Sequence, residues 1–125
     1  MKVLIVEDNE SLRDLLARIL ERLDCLPVLA SHGKDGLQKA IAEQPDLILM
    51  DMLMPVMDGW EAARALRANP ETRNIPILAT TALFASYEVK TFLEAGCDGY
   101  LVKPFTVMEL RRKIAELSVS PLDVV

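Results

Sequence analysis

The residues of this chain that could do chemistry stand at the ends of short apolar runs. Asp51 closes Asp46-Leu47-Ile48-Leu49-Met50, and Glu7-Asp8 closes Lys2-Val3-Leu4-Ile5-Val6. A short apolar run ending in charge reads as a strand buried on both faces, with its last residue emerging at the carboxyl end. If the two runs are neighbouring parallel strands, three carboxylates converge at one edge of a sheet. Unpaired anions that close together would drive one of them to take up a proton. A hard divalent cation relieves the repulsion, and Mg²⁺ prefers such oxygen ligands while keeping several waters. Two further runs reach the same edge, one ending in Thr80-Thr81 and one in Lys103. Three carboxylates, a hydroxyl and an ammonium suit phosphoryl transfer to a carboxylate. Asp51 attacks phosphorus, Mg²⁺ screens the anions, Lys103 pairs with a phosphoryl oxygen, and a threonine hydroxyl donates to another.

The elements that must position these groups alternate strand and helix. Lys2 to Val6 is the first strand, followed by a helix whose stripe is Leu12, Leu15, Leu16, Ile19, Leu20 and Leu23, capped by Asn9 or Ser11. Leu26 to Ala30 is a second strand. Pro27 lies in it and cannot donate to a ladder, so it belongs at a sheet edge. Ser31-His32-Gly33 reads as a loop before a helix from about Asp35 to Glu43, which Pro45 stops. Asp46 to Met50 is the third strand. Pro55 and Asp58-Gly59 mark the loop after Asp51, and Asp58 caps a helix over about Gly59 to Ala68. Ile75 to Thr80 is the fourth strand. Ser86 caps the next helix, which ends at Ala95 with Gly96 at the left-handed position beyond it. Tyr100 to Val102 is the fifth strand, and Thr106-Val107-Met108-Glu109 has the form of a capping box that opens the last helix. This pattern predicts one α/β domain over residues 1–118, doubly wound and (βα)₅, with a parallel five-stranded sheet in the flavodoxin-like order 2-1-3-4-5. Residues 119–125 form a short C-terminal tail that is expected to fray.

Composition narrows the classes of function. A formal net charge of -5 argues against a general binder of nucleic acid or an anionic membrane, since those need a basic face. No apolar run approaches the roughly 18 residues of a membrane span, and no signal segment opens the chain. Cys25 and Cys97 are isolated and read as reduced, packed thiols, which points to the cytoplasm. His32 reads as a solvated loop residue and not as a phosphohistidine. Trp60 reads as a packing or partially exposed aromatic and not as a cofactor platform, Met50 and Met54 as core filler and Met57 as loop packing. Arg111-Arg112-Lys113 reads as a solvated helix face.

With these residues in place, the sequence resembles the receiver domain of bacterial two-component response regulators. Val6-Glu7-Asp8-Asn9, Asp51-x-x-Met54-Pro55-x-Met57-Asp58-Gly59, Thr81-Ala82 and Lys103-Pro104-Phe105 stand in that family's order and spacing over nearly the whole chain. The resemblance implies that Asp51 accepts a phosphoryl group from a sensor histidine kinase or histidine phosphotransfer protein. It implies that Asp8 ligates Mg²⁺ directly, Glu7 mostly through water, and the Leu53 backbone carbonyl as a further ligand beside Asp51. Thr81 is then the switch hydroxyl next to Ala82, Lys103 the phosphate-binding lysine, Tyr100 the aromatic that swings inward, and Pro104 the residue of a cis peptide. Leu53 and Phe84 flank the approach of the hydrolytic water. The expected product is a phosphoprotein that catalyses only its own phosphorylation and dephosphorylation. It signals to a protein target through the fourth helix, fifth strand and fifth helix, without direct nucleic-acid contact or membrane insertion. The starting Met and short tail lean toward a stand-alone, chemotaxis-regulator-like member.

Two rival classes are weaker. Aspartate-nucleophile phosphatases carry a second Asp where this chain has Leu53, and neither nucleotide-loop glycine fingerprint is present. An adaptor with a vestigial site would have lost residues that are all retained here.

Overall fold

The computed structural model describes residues 1–54, 57–82 and 90–118 in full and residues 86–89 by their backbone. Five strands, β1 (Lys2–Val6), β2 (Leu26–Ala30), β3 (Leu47–Asp51), β4 (Ile77–Thr81) and β5 (Gly99–Val102), pair in parallel in the order β2-β1-β3-β4-β5. Helices α1 (Glu10–Arg22), α2 (Gly33–Glu43), α3 (Gly59–Ala68), α4 (Ser86–Ala95) and α5 (Val107–Ser118) follow them in turn. This is the flavodoxin-like α/β arrangement that the alternation predicts, with Pro27 on edge strand β2.

Successive strand residues point to opposite faces, so each central strand feeds two cores. Val3, Ile5, Leu47, Leu49 and Leu78 pack with Leu16 and Leu20 of α1 and Leu110 and Ile114 of α5. Leu4, Val6, Ile48, Met50 and Ile77 pack with Ala40 of α2, Leu66 of α3 and Phe92 of α4. Burial on both sides is why β1 and β3 read as unbroken apolar runs. Val6 stands opposite Met50 in the β1–β3 register, so Glu7 and Asp51 leave the sheet side by side.

Most of the punctuation works as the residue types suggest. The Leu12 N–H donates to Asn9 Oδ1 at 2.9 Å, which makes Asn9, and not Ser11, the cap of α1. Asp58 caps α3 by accepting from the Glu61 N–H at 2.9 Å. Thr106 and Glu109 exchange reciprocal hydrogen bonds at 3.2 and 3.0 Å. Gly96 has φ +110, and the Gly96 and Cys97 N–H groups donate to the carbonyls of Leu93 and Phe92, each at 3.0 Å. That pair of bonds is a Schellman closure of α4.

Several expectations need correction. Helix α2 begins at Gly33 and not near Asp35, because His32 is its cap: Nδ1 accepts from the Asp35 N–H at 3.1 Å. His32 is accordingly half-buried instead of solvated. A ring nitrogen does the work usually done by a short polar side chain, so the usual capping signal is absent. Strand β4 begins at Ile77, since the Ile75 N–H turns back to the Thr72 carbonyl at 3.1 Å. Strands β3 and β4 each run one residue further than expected, so Asp51 and Thr81 are themselves the last strand residues.

Candidate functional site

The three strand-end carboxylates do converge. One oxygen each from Glu7, Asp8 and Asp51 lies within 4.8 Å of the others. Glu7 and Asp51 are buried, and Asp8 is exposed, so the cluster opens to solvent on the Asp8 side. Lys103, just past β5, reaches across the edge: Nζ lies 2.8 Å from Glu7 Oε1 and 3.5 Å from Asp51 Oδ1. Its backbone N–H donates to the Thr81 carbonyl at 2.7 Å, fixing the exit of β5 against the end of β4. The Leu53 N–H donates to Asp51 Oδ1 at 3.2 Å, and the Asn9 N–H to Glu7 Oε2 at 3.2 Å.

Electrostatics divide the two buried acids. Burial pushes the Asp51 carboxyl up, the hydrogen bond and negative charge of Glu7 push it further, and Lys103 and the Leu53 N–H only partly oppose them; the result is about 7. For Glu7 burial acts in the same sense, but hydrogen bonds with Lys103, Asp51 and the Asn9 N–H, with the Lys103 charge, outweigh it and hold the carboxyl below its usual range. The pair therefore keeps its proton on Asp51 and its charge on Glu7. A crowded set of oxygen donors that retains a proton at neutral pH is one a hard cation fits, since the cation replaces that proton.

The remaining predicted residues fall around this centre. Thr81 is buried at the end of β4, and Ala82 after it is exposed. Tyr100 is half-buried against the α2–α3–α4 core, with Lys113 Nζ 5.7 Å from its ring centre. The Lys103-Pro104 peptide is cis, as the resemblance implies. Leu53 is 45 % exposed at the mouth of the site. Phe84 and Pro55 lie outside the described residues, as do residues 119–125. Met50 and Met54 are buried and Met57 half-buried, and neither cysteine is in a disulfide.

Three contributions had no clear sequence signal. Arg13 of α1 donates from a terminal guanidinium nitrogen to the Glu7 carbonyl at 2.9 Å, tying α1 to the carboxylate loop. Gly59 lets α3 sit on the acceptor strand: a Cβ there would lie 2.6 Å from Met52 Cα and 2.8 Å from the Asp51 carbonyl oxygen. Beside Lys103 an apolar groove of about 450 Å³ runs between Leu12, Leu15 and Ile19 of α1 and Pro104-Phe105. Among the described residues, no helix is long and apolar enough to cross a membrane.

Residues 3–115 match the response regulator receiver domain family. Over 114 residues the chain is 43% identical to the hybrid signal transduction histidine kinase G of Dictyostelium discoideum, covering 89% of this chain and 3% of that protein. The chain spans about half or less of the length of the curated relatives it matches. Its fold is similar to the chemotaxis protein CheY4 of Vibrio cholerae, with TM-score 0.88 and 31% identity over 93% of this chain and 97% of that one. It is equally similar to the receiver domain of a Pseudomonas aeruginosa sensor histidine kinase, with TM-score 0.88 and 34% identity over 95% and 98% of the two chains. That domain was solved with a magnesium ion coordinated in its active site cleft.

Proposed function

The chain belongs to the response regulator receiver domain family, and on that premise we propose that Asp51 is the phosphoryl acceptor of a two-component signalling switch. The donor is a phosphohistidine of a sensor histidine kinase or histidine phosphotransfer protein. An Asp51 carboxylate oxygen forms the new P–O bond as the P–N bond to imidazole breaks, and the bonding pair leaves with the imidazole nitrogen. Asp51 must first give up the proton it holds up to about pH 7. Asp8, Asp51 and the Leu53 backbone carbonyl would hold Mg²⁺, with Glu7 acting through water, and the bound ion supplies charge screening of the incoming phosphoryl oxygens. Lys103 exchanges its contact with Glu7 for one with a phosphoryl oxygen, a small shift because Nζ already lies 3.5 Å from Asp51 Oδ1. The Thr81 hydroxyl donates to another oxygen from the adjacent strand end, with Ala82 leaving room beside it, and Tyr100 moves further into the core. The α4–β5–α5 face then changes and is read by a protein target. The apolar groove beside Lys103 is where the donor protein docks, since a helix laid along α1 would bring a histidine to the carboxylates. Residues 1–118 form the receiver domain, and the only reactions it catalyses are its own phosphorylation and dephosphorylation.

The observation that carries this reading is the convergence of Glu7, Asp8, Asp51 and Lys103 from three strand ends onto one partly open edge. The test is incubation with acetyl phosphate and Mg²⁺, followed by intact mass and acid–base lability. One acid-stable, base-labile phosphoryl group is expected, and Asp51→Asn should abolish it. Equal labelling of that variant, or labelling at His32, overturns the assignment.

A further inference from the structure

Helix α4 comes after β4 in the chain, and among the described residues α3 meets it at two places of different character. At its C-terminal end Arg67 donates to the Gly96 carbonyl at 2.9 Å, to the Arg73 and Ile75 carbonyls at 2.9 and 2.7 Å, and to Asp98 Oδ2 at 2.6 Å. The same Asp98 oxygen takes the Ile77 N–H at 2.8 Å. These are charge-assisted bonds to the segments that lead into β4 and β5, and a Cβ on Gly96 would lie 2.6 Å from Arg67 Cγ. That end of α4 is pinned.

The middle of α4 meets α3 through neutral groups. Trp60 Nε1 donates to Thr91 Oγ1 at 3.2 Å, and the indole lies 5.2 Å from the buried Phe92 ring at 47°. Trp60 is half-buried, so water can take over its N–H if Thr91 moves away. Its neighbour Gly59 is seated on the backbone of Asp51 and Met52, and the Gly59 N–H donates to the Met52 carbonyl at 3.2 Å. The first turn of α3 therefore joins the acceptor strand to the middle of α4 by a route separate from Thr81.

We propose that Trp60 is a positioning residue: its bond to Thr91 latches α4 at rest, and α4 turns about its Arg67-pinned end when the latch yields. This rests on the reading that the α4 face responds to phosphorylation at Asp51. A contact present at rest and lost in the shifted arrangement biases the equilibrium toward rest. By reciprocity it weakens any ligand at Asp51 that favours the shifted arrangement. The size of a single net hydrogen bond corresponds to about a 2- to 10-fold effect.

The experiment titrates ¹⁵N-labelled protein with beryllofluoride in saturating Mg²⁺, as a phosphoryl mimic at Asp51. The α4 amides and the Trp60 indole N–H are followed by NMR, together with the urea midpoint. Trp60→Phe keeps a ring against Phe92 and removes the donor; Thr91→Val removes the acceptor. Each should tighten apparent beryllofluoride binding by about 2- to 10-fold, and adding Trp60→Phe to Thr91→Val should tighten it no further, because Thr91→Val already leaves the indole without this acceptor. A merely structural role would lower the urea midpoint and leave affinity unchanged. If the parent's α4 amides respond but both variants bind within twofold of the parent, the latch is refuted and the output face stands. If the parent's α4 amides do not respond at all, both readings fall. Should Trp60→Phe not fold, Thr91→Val alone decides.

Discussion

Asp51→Asn removes one carboxylate from the crowded edge and keeps the shape of the side chain. The Asn carbonyl oxygen can still accept the Leu53 N–H, now 3.2 Å from Asp51 Oδ1, and its amide can donate to Glu7. The substitution should therefore stabilise the metal-free protein at pH 8, although it destroys the acceptor. The native state holds the Asp51 proton more tightly than the unfolded chain does, with the carboxyl raised from 3.8 to about 7. The associated stability is fully present below about pH 4 and is lost as pH rises through about 7. That interval corresponds to on the order of 4 kcal/mol. Glu7, held below its usual range partly by the same contact, returns some of this, so the net gain expected for the variant at pH 8 is smaller than that interval. Urea unfolding in EDTA between pH 5 and 8 reads it directly. The parent's midpoint should fall across that range while the variant's stays flatter and ends higher. Added Mg²⁺ should raise the parent's midpoint more than the variant's. A variant midpoint at or below the parent's at pH 8, or a parent midpoint that does not change with pH, would refute the reasoning.

Asp8→Asn should weaken Mg²⁺ binding more than Glu7→Gln, because Asp8 faces solvent and can ligate directly whereas Glu7 is engaged by Lys103; a titration with the reverse order contradicts the ligand roles. Gly59→Ala should cost about 1–3 kcal/mol in urea unfolding and slow labelling by acetyl phosphate, since the added methyl displaces the Asp51–Met52 backbone; unchanged labelling would mean that α3 moves instead. Leu53→Asn should shorten the phosphoryl lifetime after donor removal, because a polar group at the exposed mouth of the site can align a water that the leucine side chain cannot. Decay no faster than the parent's would place control of the lifetime elsewhere.

The architecture was legible in the sequence because strands buried on both faces must be continuous apolar runs, and the first polar residue marks where each leaves the core. Glu7-Asp8, Asp51, Thr80-Thr81 and Lys103 are thereby assigned to one sheet edge, and the choice of Thr81 over Thr80 rests on the family resemblance. Asp58, Thr106 and Gly96 announced helix boundaries because each satisfies local backbone groups with a residue type chosen for that geometry. His32 did not, because a histidine ring is an uncommon cap. What lay beyond the sequence depends on distances across the fold. Lys103 rests on Glu7 at 2.8 Å and only nears Asp51 at 3.5 Å, and no spacing along the chain sets that choice. The proton on Asp51 follows from its burial and from Glu7 beside it, both consequences of β1 pairing with β3. Arg13 on the Glu7 carbonyl and Trp60 on Thr91 likewise join residues whose neighbours in the chain give no hint of the partner. Periodicity along a chain reports which face a residue takes; only the packed tertiary structure brings two such faces to within a hydrogen bond.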